Sequence, residues 1–282
     1  MHIKHIAVLG AGTMGHGIAH AAIVAGFTTR MFDVSDAAVQ KGTAAIESIV
    51  RKGVDLGKVS ASDADAILGR LTATTAIADA LSGADLVIEA APERIDLKLS
   101  LMADIDRHAP DHAIVATNTS ALSITEMAGA TKRPSRVAGM HFFNPVHKMK
   151  LIEIVRALES APETLQVIED VSKQMGKETV LVRESPGFIT SRVNASIGNE
   201  AFYMLMEGVA SARDIDKALK LGLNHPMGPF ELVDLVGLDT RLSILEYLHR
   251  SLGEKYRPCP LLAQYVKGGR LGRKVGRGVY DY

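Results

Sequence analysis

The sequence predicts an α/β fold, a mostly parallel sheet with an inserted helical hairpin, followed by a small all-α domain. Three observations carry that prediction. The first half of the chain alternates short β-rich runs with helix-length amphipathic runs, the rhythm of βαβ units. Residues 36–70 contain no β-rich run and are too many for one crossover helix. Beyond Glu184-Ser-Pro-Gly-Phe only the 3.6-residue period of helices remains.

Taken in order, the expected strands are residues 3–9, 28–32, 71–74, 86–89, 113–117 and 136–140, with two more at 151–155 and 178–182. Expected helices begin near Thr13, Asp36, Ser60, Arg94 and Glu163. Residues 36–70 read as two helices with a break at 53–57, where Gly53 and Gly57 fall. Pro186 and Gly187 then interrupt the chain, which sets the expected boundary between an α/β domain (1–184) and a helical domain (185–282). Helical segments are expected at 188–206, 212–220, 230–236, 240–252 and 261–267. The first carries Ile189, Val193, Ile197, Phe202, Met204 and Leu205 around most of its circumference, so it should be buried on several sides. A homodimer through this domain and an intramolecular core both account for that pattern.

Composition narrows the function classes. The 282 residues suffice for a full core in one large or two unequal domains. Lys+Arg and Asp+Glu are both 32, so no general field gathers nucleic acid or anionic membrane, and an anion must be held by a local site. A single cysteine, Cys259, excludes an internal disulfide and argues against a cysteine-rich metal site; no metal is expected. No run approaches about 18 consecutive apolar residues, and the N-terminus has neither a signal h-region nor a transit-type segment. A cytoplasmic protein with no membrane or nucleic-acid partner is the expectation.

Ile6-Ala-Val-Leu leads into Gly10-Ala-Gly12-Thr13-Met14-Gly15 and then a helical pattern. This strand, glycine turn and helix start is the context that a Rossmann-type dinucleotide motif requires. Gly10 permits the tight turn, Gly12 lets the backbone approach a diphosphate, and Gly15 lets helix and strand pack closely. The unpaired N–H groups at the helix start then bind the diphosphate. The next strand ends at Asp33, whose carboxylate can accept both ribose hydroxyls and would repel a 2′-phosphate. The expected cofactor is therefore NAD, with Arg30 the one residue that argues for a phosphorylated form. Glu93 follows a strand end and reads as a crevice residue and as a helix N-terminal acid, two roles that are compatible.

Among ten histidines, His141 stands apart. It closes a β-rich run, a turn signal at Asn144-Pro145 follows, and Glu153 lies twelve residues on in another β-rich run. Neighbouring strands joined this way would set the carboxylate against the imidazole. Oxidation of a secondary alcohol needs a base titrating near neutrality, and a buried acid would fix its tautomer and stabilise the imidazolium. The other reading is a His–Glu hydrogen bond that only fastens two strands.

The chain resembles the L-3-hydroxyacyl-CoA dehydrogenases, closest to their short bacterial 3-hydroxybutyryl-CoA branch. The stretches that carry the resemblance are Val8-Leu-Gly-Ala-Gly-Thr-Met-Gly, Ile88-Glu-Ala-Ala-Pro-Glu, Thr117-Asn-Thr-Ser, Met140-His-Phe-Phe-Asn-Pro, Ser185-Pro-Gly-Phe, Asn224-His-Pro-Met-Gly-Pro, Gly237-Leu-Asp and Gly272-Arg-Lys-Val-Gly-Arg-Gly-Val-Tyr. The resemblance implies that His141 takes the 3-hydroxyl proton of a (3S)-3-hydroxyacyl-CoA and returns it to a 3-ketoacyl-CoA. Glu153 would orient His141, Ser120 would bond the substrate oxygen, and Asn144 would line the nicotinamide and substrate pocket. Glu93, Lys98 and Lys274 match further NAD contacts, and a homodimer through the helical domain is implied. Coenzyme A would lie on the inserted hairpin, where Arg51, Lys52 and Lys58 are candidates and a solvated basic face is the alternative. One position departs from the family pattern Pro-Gly-Phe-x-x-Asn-Arg: Ser191 stands where asparagine is usual. That departure leaves room for a dehydrogenase of a free hydroxy acid. A non-catalytic NAD-binding protein is the third reading, opposed by the intact His141, Glu153 and Ser120.

Overall fold

The computed structural model describes residues 1–282 as two compact units, Met1–Glu184 and Ser185–Tyr282. No helix is long and apolar enough to cross a membrane.

The first unit is built on eight strands: β1 (His5–Leu9), β2 (Thr28–Phe32), β3 (Leu71–Thr74), β4 (Leu86–Glu89), β5 (Ile114–Thr117), β6 (Val137–Phe142), β7 (Leu151–Arg156) and β8 (Glu178–Arg183). They form one sheet in the order β3-β2-β1-β4-β5-β6-β7-β8. The pairs from β3 to β6 are parallel, β6 and β7 are antiparallel, and β7 and β8 are parallel to each other. Every residue of β4, β5 and β6 is buried, as expected for strands covered on both faces. The covering helices are α1 (Thr13–Val24), α2 (Asp36–Asp55), α3 (Ala61–Leu68), α4 (Ile77–Leu81), α5 (Ile95–His108), α6 (Ile124–Gly129) and α7 (Pro162–Gln174). Serine side chains set several starts: Ser35 accepts from Ala38 N–H and Ser60 from Asp63 N–H.

Three expectations need correction. The hairpin break starts at Leu56, later than the expected 53, and runs on to Ser60. Gly53 stays helical, while Gly57 takes the left-handed turn (φ 66°) and Ser60 caps α3. The strand expected at 136–140 begins at Val137, because Pro134–Arg136 form a 3₁₀ turn, and it runs on through Phe142. His141 is therefore inside a strand. The short helices α4 and α6 had no counterpart in the sequence reading.

The second unit holds α8 (Thr190–Met206), α9 (Ala212–Gly222), α10 (Pro229–Val236), α11 (Leu238–Leu252) and α12 (Pro260–Lys267). Phe202 of α8 meets Phe230 of α10 edge-on, centroids 5.2 Å apart, at the centre of its core. Within the chain α8 is buried along one side only, by Ala195, Gly198, Asn199, Ala201 and Phe202. Ile189 and Val193 remain 51% and 52% exposed, so this helix is not enclosed on several sides by its own chain.

Candidate active site

The β1–α1 turn is shaped by what a side chain would strike. A Cβ on Gly15 would stand 1.8 Å from the Gly10 carbonyl oxygen, and one on Gly10 (φ 112°) 2.7 Å from that of Ala90. Only glycine fits either place. A Cβ on Gly12 would meet nothing within 4 Å, so the turn opens outward there. Gly12 caps α1 without a side-chain bond, which leaves the first N–H groups of the helix, at Thr13 and Met14, to meet an anion.

Asp33, one residue past β2, is directed at this turn. Its Oδ2 accepts from Ala11 N–H at 2.9 Å and its Oδ1 from Ser35 N–H at 3.2 Å. Arg30 is engaged elsewhere, donating to the carbonyls of Asp79 and Ser82 at the end of α4. Its charge is thus not offered to a 2′-phosphate. The open backbone at Gly12, the free helix start and the placed carboxylate together fit NAD.

A buried acid–base network lies at the C-terminal ends of β4 and β5, where open parallel sheets place their ligand crevice. Glu89 is fully buried and accepts from Lys98 Nζ at 2.7 and 2.9 Å, from Thr117 Oγ1 at 2.6 Å and from Ala91 N–H at 2.6 Å. Lys98 is 1% exposed and also lies 3.7 Å from Glu93 Oε2. Glu93 Oε1 accepts from Thr119 Oγ1 at 2.6 Å, Ser120 N–H at 2.8 Å and Ala121 N–H at 3.1 Å. Glu93 stands two residues before α5 begins and holds the loop that carries Ser120. Glu89, Thr117 and Thr119 escaped the sequence reading, although an acid ending the apolar run Leu86-Val-Ile-Glu89 is a usable signal.

The β6–β7 register pairs His141 with Glu153 directly. His141 Nδ1 lies 2.7 Å from Glu153 Oε2, with the carboxylate fully buried and His141 5% exposed. An ionised carboxylate can only accept, so Nδ1 carries the proton of this bond, which in a neutral ring leaves the lone pair on Nε2. Phe143 packs on the imidazole with centroids 4.6 Å apart and the rings tilted by 51°, and Asn118 Oδ1 accepts from Phe142 N–H at 2.8 Å, which fixes the strand end. Asn144 is exposed in the turn that follows.

The remaining candidates are more scattered. Arg51 is paired with Asp65 at 2.8 Å across the hairpin, which commits its charge, while Lys52 and Lys58 are exposed. Ser191 lies half-buried in the first turn of α8. Lys274 pairs with Asp239 at 2.6 Å within the second unit.

The model of the 3-hydroxyacyl-CoA dehydrogenase NAD binding domain matches residues 5–185, and that of the 3-hydroxyacyl-CoA dehydrogenase C-terminal domain matches 187–282. A probable 3-hydroxybutyryl-CoA dehydrogenase of Bacillus subtilis is 47% identical, covering 100% of this chain and 98% of its own. A 3-hydroxyadipyl-CoA dehydrogenase of Escherichia coli is 40% identical over 100% of this chain and 60% of its own. The crystal structure of an (S)-3-hydroxybutyryl-CoA dehydrogenase from Ralstonia eutropha superposes with a TM-score of 0.95 at 45% identity, covering 100% of this chain and 99% of the other.

Proposed function

The chain belongs to the 3-hydroxyacyl-CoA dehydrogenase family, and from that premise we propose that it interconverts a short-chain (3S)-3-hydroxyacyl-CoA and its 3-ketoacyl-CoA, with His141 as the proton-transferring group. It is an NAD-dependent oxidoreductase. The Gly10–Gly15 turn and Asp33 would hold NAD, which would supply the hydride acceptor.

The chain's own residues do the rest. His141 removes the 3-hydroxyl proton at Nε2 and becomes an imidazolium. Glu153 accepts the Nδ1–H bond throughout, keeps the ring in the productive tautomer and stabilises the positive charge as it forms. In the reductive direction His141 returns the same proton to the ketone oxygen. Ser120, on the loop fastened by Glu93, is assigned to hydrogen-bond the substrate oxygen, and Asn144 to line the nicotinamide and substrate pocket. Lys98 supports Glu93 through the Glu89 pair. Lys52 and Lys58 are assigned to coenzyme A; Arg51, tied to Asp65, contributes less than its charge suggests. Lys274 is retained as a cofactor contact and Ser191 as a substrate contact.

The observation that carries the proposal is the buried His141–Glu153 pair. Its test is NADH oxidation with acetoacetyl-CoA and longer 3-ketoacyl-CoAs. His141→Gln should lower kcat about a thousandfold, within the range of general acid–base catalysis. Retention of most activity would overturn the assignment. Calorimetric binding of coenzyme A separates this reading from a dehydrogenase of free hydroxy acids, which would give no binding. We further infer a homodimer through α8, whose Ile189 and Val193 are exposed in the single chain; a monomeric mass by light scattering would refute it. A cytoplasmic location agrees with the single, buried Cys259.

A further inference from the structure

Cations gather along one side of α1. His16 and His20 are one helical turn apart and share a face. Between them Gly17 lets the helix meet the turn that follows β6: a Cβ there would stand 2.9 Å from Val146 Cγ2. That contact brings His147 to His20, the two rings edge-on with centroids 6.2 Å apart. Lys177 donates Nζ to the carbonyls of Val146 and Met149 and so fastens the same turn. His16 donates Nδ1–H to the Gly12 carbonyl oxygen at 2.9 Å, which turns its Nε2 away from that bond. His20 Nδ1 is buried with no hydrogen-bond partner.

The charges that act most on these rings share one sign. Those acting on His20 come from His147 and His16 and from Lys177. Those acting on His147 come from Lys148, Lys177, His16 and Lys52 of the inserted hairpin. No carboxylate is among them. Three elements, α1, the hairpin and the β6–β7 turn, thus converge their cations beside the glycine turn and the strand that carries His141.

We propose that His16, His20 and His147, with Lys52, Lys148 and Lys177 around them, form an anion subsite that takes a phosphate group of the coenzyme A moiety together with a proton. The inference rests on the coenzyme A thioester reading above and adds to it a subsite and a proton linkage. Like-charged groups packed together without a counter-charge repel, and a bound phosphate adds an attraction to each of them that offsets the repulsion. Burial first, then the neighbouring cations, holds His20 down at about 4, and the same causes push His147 below its ordinary value. Both rings therefore give up a proton more readily in the free protein than an ordinary imidazole does. A phosphate beside them favours the imidazolium, so a proton from solvent adds to a ring nitrogen as the phosphate enters, and no covalent bond changes. Lysines alone would bind the same phosphate without taking up a proton.

The experiment has two arms. Coenzyme A is titrated into the full-length protein by calorimetry at about pH 7 in buffers of different ionisation enthalpy, and an uptake of about half to one proton per coenzyme A is expected. In parallel, KM for acetoacetyl-CoA is compared with KM for acetoacetyl-pantetheine, which carries no 3′-phosphate or diphosphate. The ratio of pantetheine KM to coenzyme A KM should fall about tenfold from about pH 6 to about pH 8. The double variant His20→Gln/His147→Gln should abolish both the proton uptake and this pH dependence. Lys52→Gln should lower the ratio at every pH while leaving its slope in place. Zero proton uptake by the wild-type protein, or a flat ratio, overturns the subsite even if the variants fail to fold. Failure of both thioesters to oxidise NADH would instead overturn the underlying reading.

Discussion

In the N-terminal unit each buried acid meets a buried basic side chain, whereas the buried acids of the C-terminal unit meet only backbone N–H and hydroxyl donors. Glu89 is matched by Lys98, and Glu153 by His141. In the helical unit Asp216 accepts from Phe230 and Glu231 N–H and from Tyr280 Oη, and Asp234 from Val279 and Tyr280 N–H and from Tyr282 Oη. Its one buried cation, Arg241, is 3% exposed, makes no ion pair, and is held by desolvation down at about 10. Removing a charge from water costs several kcal/mol, and a partner offsets that cost only where its geometry is fixed. The paired acids lie in strands that flank the proposed chemistry, Glu89 at the end of β4 and Glu153 inside β7, so their partners are groups that position a loop or move a proton. The helical unit spends its buried acids on fastening its own last residues to α9 and α10.

The comparison breaks most sharply at Lys98. Lys98→Met strands Glu89, which is fully buried, without its cation and should cost about 3–5 kcal/mol in urea unfolding. Adding Glu89→Gln should recover much of that loss, because the uncompensated charge goes with it. A single-variant cost below about 1 kcal/mol would mean the network is not what holds the Glu93 loop.

This network also marks where the sequence stopped being legible. The glycine turn, Asp33 and the His141/Glu153 spacing were readable because each depends on a local pattern: a turn that only glycine fits, a strand end, a hairpin of fixed length. The Glu89–Lys98 pair joins a strand to the next helix, and nothing local announces that nine residues bring two charges together. Helices α4 and α6, of five and six residues, are too short to express a 3.6-residue period. The direction of β7 was open as well, since a β-rich run reads alike in either orientation. On α8 the apolar circumference was plain, but periodicity does not say whether Ile189 and Val193 face their own chain or another surface.

On the helical side, Asp234→Asn keeps one acceptor and removes the charge from three donors. It should cost about 2 kcal/mol in chemical denaturation. Amides 279–282 should exchange faster than those of α11, because Asp234 is what receives Val279 and Tyr280 N–H. Uniform loss of protection across the unit would show that Asp234 holds the core rather than the tail.

His20 gives a smaller and pH-dependent effect, since it is half-buried and unpaired. Its native value is lowered to about 4 from 6.5 by burial and by His147, Lys177 and His16. Above 6.5 the ring is neutral in both states and contributes nothing. As pH falls toward 4 the unfolded chain gains a proton that the native chain refuses, so stability declines. At about pH 5 the loss should be about 1 kcal/mol after allowing for partial exposure, and His20→Gln should remove it. An unchanged slope of stability against pH in that variant would place the sensitive group elsewhere.

The smallest expected effect belongs to Ser191. It occupies the first turn of α8, where a serine hydroxyl competes for nearby backbone groups and an asparagine amide would do the same. Exchange of one for the other should therefore leave stability within about 0.5 kcal/mol. The amide reaches farther and offers both a donor and an acceptor, worth about one net hydrogen bond to a bound thioester. Ser191→Asn should accordingly raise kcat/KM for acetoacetyl-CoA about threefold, since half a kcal/mol or slightly more is what one such bond contributes. If both kcat and KM stay as they are, Ser191 is not a substrate contact. If the variant gains on acetoacetyl-CoA but loses on a bulkier 3-ketoacyl-CoA, the serine is there to make room, and the acyl pocket is larger than a four-carbon substrate needs.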